Sequence, residues 1–169
     1  MKHEKGQLLI EAAIAISILT IGIFGMINLL NRSLGLNVVV TSQYVGSNLA
    51  MEGVEVVKNL IDSNVLKNEG MLTAWNDGLT AGDYQVEYSS TQLMPYQDTN
   101  LWFDQNTGFY SYSSAGKQTN FKRKITITNT GNPDEIQVNS IVSWKIKGGN
   151  HEINVEDHFF NWRKANPTP

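Results

Sequence analysis

The sequence contains no cysteine and only three histidines, and these shortages remove several kinds of site. Without cysteine the chain can form no disulfide, thiol nucleophile or cysteine-ligated zinc site. An extracellular domain of this composition must depend for stability on its own core or on neighbours in an assembly. His151 and His158 are seven residues apart on a predicted strand, so their side chains should point to opposite faces. The sequence therefore predicts no shared metal site and no cofactor.

Charge is also sparse. The 169 residues include 13 basic and 16 acidic side chains, which gives a formal net charge of -3. A mildly acidic chain offers no electrostatic basis for binding nucleic acid. The short basic run Lys122-Arg123-Lys124 alternates between two faces of a predicted strand, which favours a solvated strand over a DNA-binding patch. Serine, histidine and aspartate occur in no catalytic arrangement, so the chain is not predicted to be an enzyme.

One long hydrophobic run stands out against this background. The segment from Leu8 to Leu30 is almost wholly apolar, and about 20 such residues are enough to cross a bilayer. Its single ionisable residue, Glu11, lies near the N-terminal end, although a carboxylate in hydrocarbon costs at least ~2.5–3.5 kcal/mol. A secretory signal peptide would have a shorter core and a small-residue cleavage site after it. An ordinary single-pass anchor explains the length but leaves Glu11 unexplained.

The residues before the run carry a more specific pattern. Gly6-Gln7-Leu8-Leu9-Ile10-Glu11 follows a leader with two lysines and precedes the apolar helix. This pattern resembles the prepilin signal of type IV pilins and type II secretion pseudopilins. The resemblance implies that a prepilin peptidase cuts between Gly6 and Gln7, which makes Glu11 the fifth residue of the mature chain. It also implies that Gln7 is the modified, N-methylated terminus, although the family most often has phenylalanine there.

The resemblance implies a structural subunit of a type IV pilus or pilus-like filament, whose partners are other pilin subunits and an inner-membrane assembly platform. Two leader lysines predict a cytoplasmic N-terminus, a single pass through membrane lipid and a C-terminus outside, followed by export into an extracellular pilus. Glu11 would serve subunit assembly by pairing with the ammonium group that cleavage creates on Gln7. Loss of the leader removes two lysines and one glutamate, so the net charge changes from -3 to -4.

Two other functions remain open from the sequence. The first is a pseudopilin of a type II secretion or DNA-uptake machine, which would use the same helix in a shorter filament. Segment 49–55 resembles a pattern of minor pilins and their pseudopilin relatives, and segment 21–25 is similar to the membrane helix of minor pilins. Both resemblances favour a minor over a major subunit. The second belongs to a different class of protein, a membrane-anchored binding or adhesive domain that never polymerises.

The predicted fold class is α+β, with a long N-terminal helix packed on a C-terminal antiparallel β-sheet. We divide the chain into a leader (1–6), a transmembrane and assembly helix (7–30), an amphipathic continuation (31–64), a connecting loop (65–82), a β head domain (83–164) and a loose tail (165–169). No proline precedes Pro95, so any weak point in the helix falls on Gly22, Gly25 or Gly35. The continuation has an apolar stripe that should pack on the head: Leu34, Val38, Val45, Leu49, Val54, Val56, Val57, Leu60 and Ile61.

The head domain shows the period-two alternation of strands. One set that shares a strand face is Phe121, Arg123, Ile125 and Ile127, and the apolar face of a second, half-buried strand is Val138, Val142, Trp144 and Ile146. Aromatic segments 101–103 and 109–112 flank Asp104–Gly108, which predicts a hairpin. The Asp104–Gly108 loop resembles part of a calcium loop but lacks the later bidentate glutamate, so a turn is favoured over calcium binding. A further tight turn is predicted at Gly148-Gly149-Asn150.

Overall fold

One helix occupies more than a third of the chain. In this computed structural model, which describes residues 3–67, 74–146 and 149–162, helix α1 runs from His3 to Lys67 over 65 residues. The chain folds as two compact units, Met1–Ser42 and Gln43–Pro169, and α1 passes through both. The helix continues through residues 65–67, which the sequence placed in the connecting loop.

The first unit is a helix whose apolar side chains are exposed on every side. Leu8, Leu9 and Ile10 are 68%, 73% and 65% exposed, and three consecutive residues on a helix cover most of its circumference. The helix is long and apolar enough to cross a membrane. At 1.5 Å per residue, the apolar segment from Leu8 to Leu30 rises about 35 Å, slightly more than the ~30 Å of hydrocarbon in a bilayer.

The second unit contains two antiparallel sheets and confirms the predicted α+β class. The larger sheet has five strands in the order β2-β1-β6-β7-β8, and the smaller has three in the order β4-β3-β5. The strands are β1 (Gly82–Gln85), β2 (Met94–Pro95), β3 (Trp102–Phe103), β4 (Tyr110–Ser111), β5 (Lys117–Gln118), β6 (Lys122–Asn129), β7 (Glu135–Ile146) and β8 (Gly149–Phe160). The long strands β6, β7 and β8 pair in sequence, and β8 forms one edge of the larger sheet.

The core lies between the C-terminal part of α1 and the inward face of the larger sheet. The alternation predicted in β6 and β7 is confirmed, because every second residue of these strands is buried from Arg123 to Ile127 and from Ile136 to Trp144. The helix buries Leu49, Ala50, Val54, Val56, Val57 and Ile61. The predicted stripe is wrong at its N-terminal end, because Leu34 and Val38 are exposed.

Two turn predictions have different outcomes. The Asp104 hairpin is confirmed, because β3 pairs with β4 and the Asp104 side chain closes the loop between them. The tight turn at residues 148–150 is wrong for Gly149 and Asn150, which already belong to β8 and pair with Ile146 and Lys145. Regular ladder hydrogen bonds therefore extend further than the glycine-rich sequence suggests, and Gly148 lies outside the described residues.

Two glycines let the helix lie close to the sheet. Gly46 and Gly53 are two helical turns apart, so they lie on the same face of α1. A Cβ atom on Gly46 would come within 2.7 Å of the Trp144 ring. A Cβ atom on Gly53 would collide with the Ser140 hydroxyl and come within 2.9 Å of the Ile125 Cδ1 atom. Glycine at these two positions therefore determines which face of α1 packs against the sheet.

We expect Gly53→Ala to destabilise the head domain by about 1–3 kcal/mol, the usual effect of overpacking a filled core. Helix propensity alone predicts the opposite, since alanine stabilises an exposed helix by about 1 kcal/mol relative to glycine. The matched control is Gly25→Ala, where an added Cβ meets no atom within 4 Å. Denaturant unfolding followed by tryptophan fluorescence measures both variants, and an unchanged midpoint for Gly53→Ala would contradict the packing described here.

Candidate functional site

The residues singled out by the sequence come together in the first turns of α1. Gly6, Gln7 and Glu11 all lie within the helix, and Gln7 and Glu11 are four residues apart on one face. Apolar side chains continue this face beyond Glu11, namely Ile14, Ala15 and Ile18. The peptide bond between Gly6 and Gln7 is about 7 Å along the axis from Glu11, at 1.5 Å per residue. Their proximity follows directly from helical geometry.

Glu11 is the ionisable residue of the apolar segment from Leu8 to Leu30, whose uncharged polar residues are Ser17, Thr20 and Asn28. The Ser17 hydroxyl donates to the Ala13 carbonyl oxygen at 2.7 Å, and the Thr20 hydroxyl donates to the Ser17 carbonyl oxygen at 2.8 Å. Such bonds satisfy a hydroxyl inside hydrocarbon without a second helix. Among the side chains that the structure describes, none donates a hydrogen bond to the Glu11 carboxylate.

In the described part of the head domain, one charged side chain is buried, and it was not predicted from the sequence as a functional residue. Arg123 on β6 is fully buried, with a relative exposure of 0%. Its Nη1 atom donates to the Leu49 carbonyl oxygen at 3.1 Å and to Glu52 Oε1 at 3.0 Å. Its Nη2 atom donates to the Val86 carbonyl oxygen at 2.6 Å. The guanidinium group thus joins α1, β6 and the segment that follows β1.

The sequence did hold a signal for this role. Alternation placed Arg123 on the inward face together with Phe121 and Ile125, and an arginine in that position needs internal acceptors for its charge. Tyr112 adds to the same region, because its hydroxyl donates to the Arg123 carbonyl oxygen at 3.1 Å. Burial raises the pKa of Tyr112, so the phenol stays protonated as a donor. These contacts make Arg123 a structural centre of the head.

The two histidines lie on opposite faces of β8, as their spacing predicts. His151 stacks on Trp144 with ring centroids 5.7 Å apart. His158 lies 2.7 Å from Glu135 through Nδ1 and 3.4 Å from Glu156 through Nε2. The hydrogen bond with Glu135 raises the pKa of His158, and the same bond lowers the pKa of Glu135. Exposed ion pairs of this kind contribute little to the stability of the fold. The cluster of His158, Glu135 and Glu156 includes no nucleophilic side chain that the histidine could activate.

The Asp104 carboxylate is engaged within its own turn. Asp104 Oδ1 accepts a hydrogen bond from the Asn106 backbone N–H at 2.9 Å, and Oδ2 accepts one from the Thr107 hydroxyl at 3.1 Å. The Asn106 bond, followed by the Thr107 bond, lowers the pKa of Asp104. Within residues 3–67, 74–146 and 149–162, no group of three histidine, aspartate or glutamate side chains is arranged to hold a metal ion.

Two features stand out among the described residues. The Glu11 carboxylate of the apolar helix has no hydrogen-bond donor among the described side chains, and Arg123 is a buried structural centre of the head domain. Known proteins add nothing to this description. Neither the protein-family models, nor the curated proteins, nor the solved structures include a match to this chain.

Proposed function

We propose that this protein is a structural subunit of a type IV pilus or a pilus-like filament. It would be inserted in the membrane by α1, cut between Gly6 and Gln7 by a prepilin peptidase, and polymerised through the apolar helix. The proposal is supported by the order of three features in the first turns of α1. These are a glycine, an acid five residues later and an apolar helix that exposes hydrophobic side chains on all sides.

The observation that carries the proposal is the carboxylate of Glu11, which receives no hydrogen bond from the side chains that the structure describes. A helix that only anchors a protein in the membrane does not require a carboxylate in its apolar segment. Placing a carboxylate in hydrocarbon costs at least ~2.5–3.5 kcal/mol. Cleavage after Gly6 would create an ammonium group on Gln7. Opposite charges attract strongly in a low dielectric, and each lowers the cost of burying the other.

Pairing between subunits would also set their axial register. A subunit that is displaced along the filament would leave one ammonium group and one carboxylate without partners. The axial spacing at which both groups are paired is therefore favoured over displaced spacings. The hydroxyls of Ser17 and Thr20 would not compete for this role, since both are satisfied by their own helix. Glu11 would then be the ionisable group of the segment that selects a charged partner.

The proposed partners are the prepilin peptidase, other pilin subunits, the inner-membrane assembly platform and membrane lipid. The N-terminus would be cytoplasmic and the C-terminus outside until the subunit leaves the membrane for the filament. A secretion or DNA-uptake pseudopilus would use the same helix and the same charge pair, and only the length of the filament would differ.

The direct test is the N-terminal residue and the mass of the protein isolated from its host. We expect a chain that begins at Gln7, with or without one added methyl group, because the ammonium partner of Glu11 exists only after residues 1–6 are removed. A Gly6→Leu variant, in which the glycine of the cleavage signal is lost, provides the uncut chain for comparison. Recovery of the wild-type protein with Met1 through Gly6 still attached would refute the proposal.

A further inference from the structure

A polar cavity of about 410 Å³ lies in the head domain, beside the smaller sheet. Its volume falls within the range of small-molecule sites, roughly 300–1,000 Å³. Most of its wall consists of side-chain amides and aromatic rings, contributed by Gln85, Gln97, Asn100, Trp102, Tyr112 and Gln118. These residues come from separate parts of the chain, so the cavity exists only in the folded head.

The cavity wall is close to electrically neutral. Among the described residues, Asp98 is the one acidic residue that lines it, and no lysine or arginine does. Asp98 Oδ1 accepts hydrogen bonds from Lys122 Nζ at 2.8 Å and from the Tyr96 hydroxyl at 3.0 Å, so its charge is already compensated. Burial, followed by the bond to Asp98, raises the pKa of Tyr96 to about 12, which keeps this donor protonated. Among the described residues that line the cavity, no cation is available to an anionic ligand. The one carboxylate available to a cationic ligand, that of Asp98, is already paired with Lys122.

The amides of the wall retain unused hydrogen-bonding capacity. Gln85 is only 7% exposed, and its Oε1 atom accepts from the Gln97 backbone N–H at 3.2 Å. This bond leaves the Gln85 amide nitrogen without an acceptor among the described residues. The side chains of Gln97 and Gln118 make no hydrogen bond to any other residue that the structure describes. Each free amide offers both a donor and an acceptor to a ligand.

An aromatic surface adjoins these amides. Trp102 is half-buried on β3 and lies directly opposite Gln118 in the pairing of β3 with β5. Residues in that relation have neighbouring side chains on one face of the sheet. Tyr112 contributes mainly its ring, because its hydroxyl is engaged by the Arg123 carbonyl oxygen. The cavity thus combines an indole ring, which packs well against C–H groups, with amides that suit hydroxyl groups.

We propose that this cavity binds a neutral saccharide. A sugar ring has hydroxyls that both donate and accept, as the amides do, and a C–H face that packs on an aromatic ring. No charge is needed on the ligand, in agreement with the neutral wall. The site involves only head-domain residues, so it stands whether or not the chain polymerises.

The test uses the full-length chain in a zwitterionic detergent that contains no sugar. Methyl glycosides of glucose, galactose, mannose and N-acetylglucosamine are titrated separately, and binding is followed by saturation-transfer NMR. We expect at least one to bind with a Kd on the order of 1 mM, which is appropriate for a ligand of this size in an open site. Gln118→Ala should weaken that binding about tenfold, because it removes a donor and an acceptor from an exposed position.

The matched control is Gln105→Ala, which removes an exposed amide from the β3–β4 turn, outside the cavity. Its affinity should equal that of the wild type. Trp102→Phe, which keeps a smaller ring in β3, should weaken binding while preserving the fold. The proposal is overturned if no glycoside binds at concentrations up to about 50 mM, far above the expected Kd. It is also overturned if Gln118→Ala and Trp102→Phe both bind like the wild type, or if an uncharged capped peptide binds where the glycosides do not.

Discussion

Replacing Glu11 with valine is expected to reduce incorporation of the chain into filaments by about a hundredfold, while cleavage after Gly6 remains largely intact. Under the proposed function, the variant would leave the ammonium group that cleavage creates on Gln7 without its partner among apolar helices. An unpaired charge at this depth costs ~2.5–3.5 kcal/mol, and each 1.4 kcal/mol corresponds to a factor of about ten. The apolar surface of α1 is otherwise unchanged, so insertion into the membrane should not be impaired.

Crosslinking measures this incorporation. Because the chain has no native cysteine, an Ile21→Cys background places a single thiol on an exposed position of the apolar helix. Oxidation of cells that carry the assembly machinery should give multimers of the parent and very few of the Glu11→Val variant. Ser17→Val is the matched control, because it also replaces a polar residue of the segment but one whose hydroxyl bonds to its own helix. Equal multimers from both variants would remove the role assigned to Glu11, and no multimers from the parent would identify a non-polymerising anchor.

The second large effect concerns the head domain: Arg123→Leu is expected to destabilise it by about 3–5 kcal/mol. The substitution leaves the buried carbonyl oxygen of Val86 without the Arg123 donor, at about 1–3 kcal/mol. The Leu49 carbonyl oxygen loses one of its two donors and keeps its backbone hydrogen bond within α1. Glu52 adds less, because its side chain is 32% exposed and can turn to water. A loss of this size is a large part of the total stability of a small domain.

Lys124→Leu is the control for this substitution. Lys124 is adjacent on β6 but points to the other face, where it forms a partly exposed pair with Asp83 at 3.5 Å. Such pairs are worth only about 0–1 kcal/mol, so the control should unfold close to the wild type. Urea denaturation followed by tryptophan fluorescence compares the two midpoints. If both variants unfold at the same urea concentration, Arg123 does not hold the helix to the sheet.

Local pattern was enough to predict much of the fold. The long helix follows from an uninterrupted run without proline, and the inward faces of β6 and β7 follow from strict alternation. The candidate assembly site was equally accessible, because Gly6, Gln7 and Glu11 are neighbours in the chain and a helix keeps them so. In each case the information lies within a few residues of sequence.

Features that depend on distant segments were not predictable in this way. The two-residue strands β2 and β5 are defined by their pairing with β1 and β3, and two residues are too few to show an alternating pattern in the sequence. From the sequence alone, Gly46 and Gly53 only lower the helix propensity of α1. Their packing role becomes visible once the fold places Trp144 against Gly46 and Ser140 against Gly53. The amide-lined cavity likewise joins residues between Gln85 and Gln118 that only the folded chain brings together.

The open edge of β8 has a consequence for aggregation. Among the described residues no strand pairs with the outer side of β8, and this twelve-residue edge could join the same strand of a second molecule through backbone hydrogen bonds. In an antiparallel pair centred on Asn154, Glu152 of each molecule would face Glu156 of the other, and pairs centred on Glu152 or Glu156 would set each acid against its own copy. Like charges directly opposite one another destabilise a sheet. Edge-to-edge pairing of β8 strands between head domains is therefore disfavoured, and any association of head domains would use other surfaces.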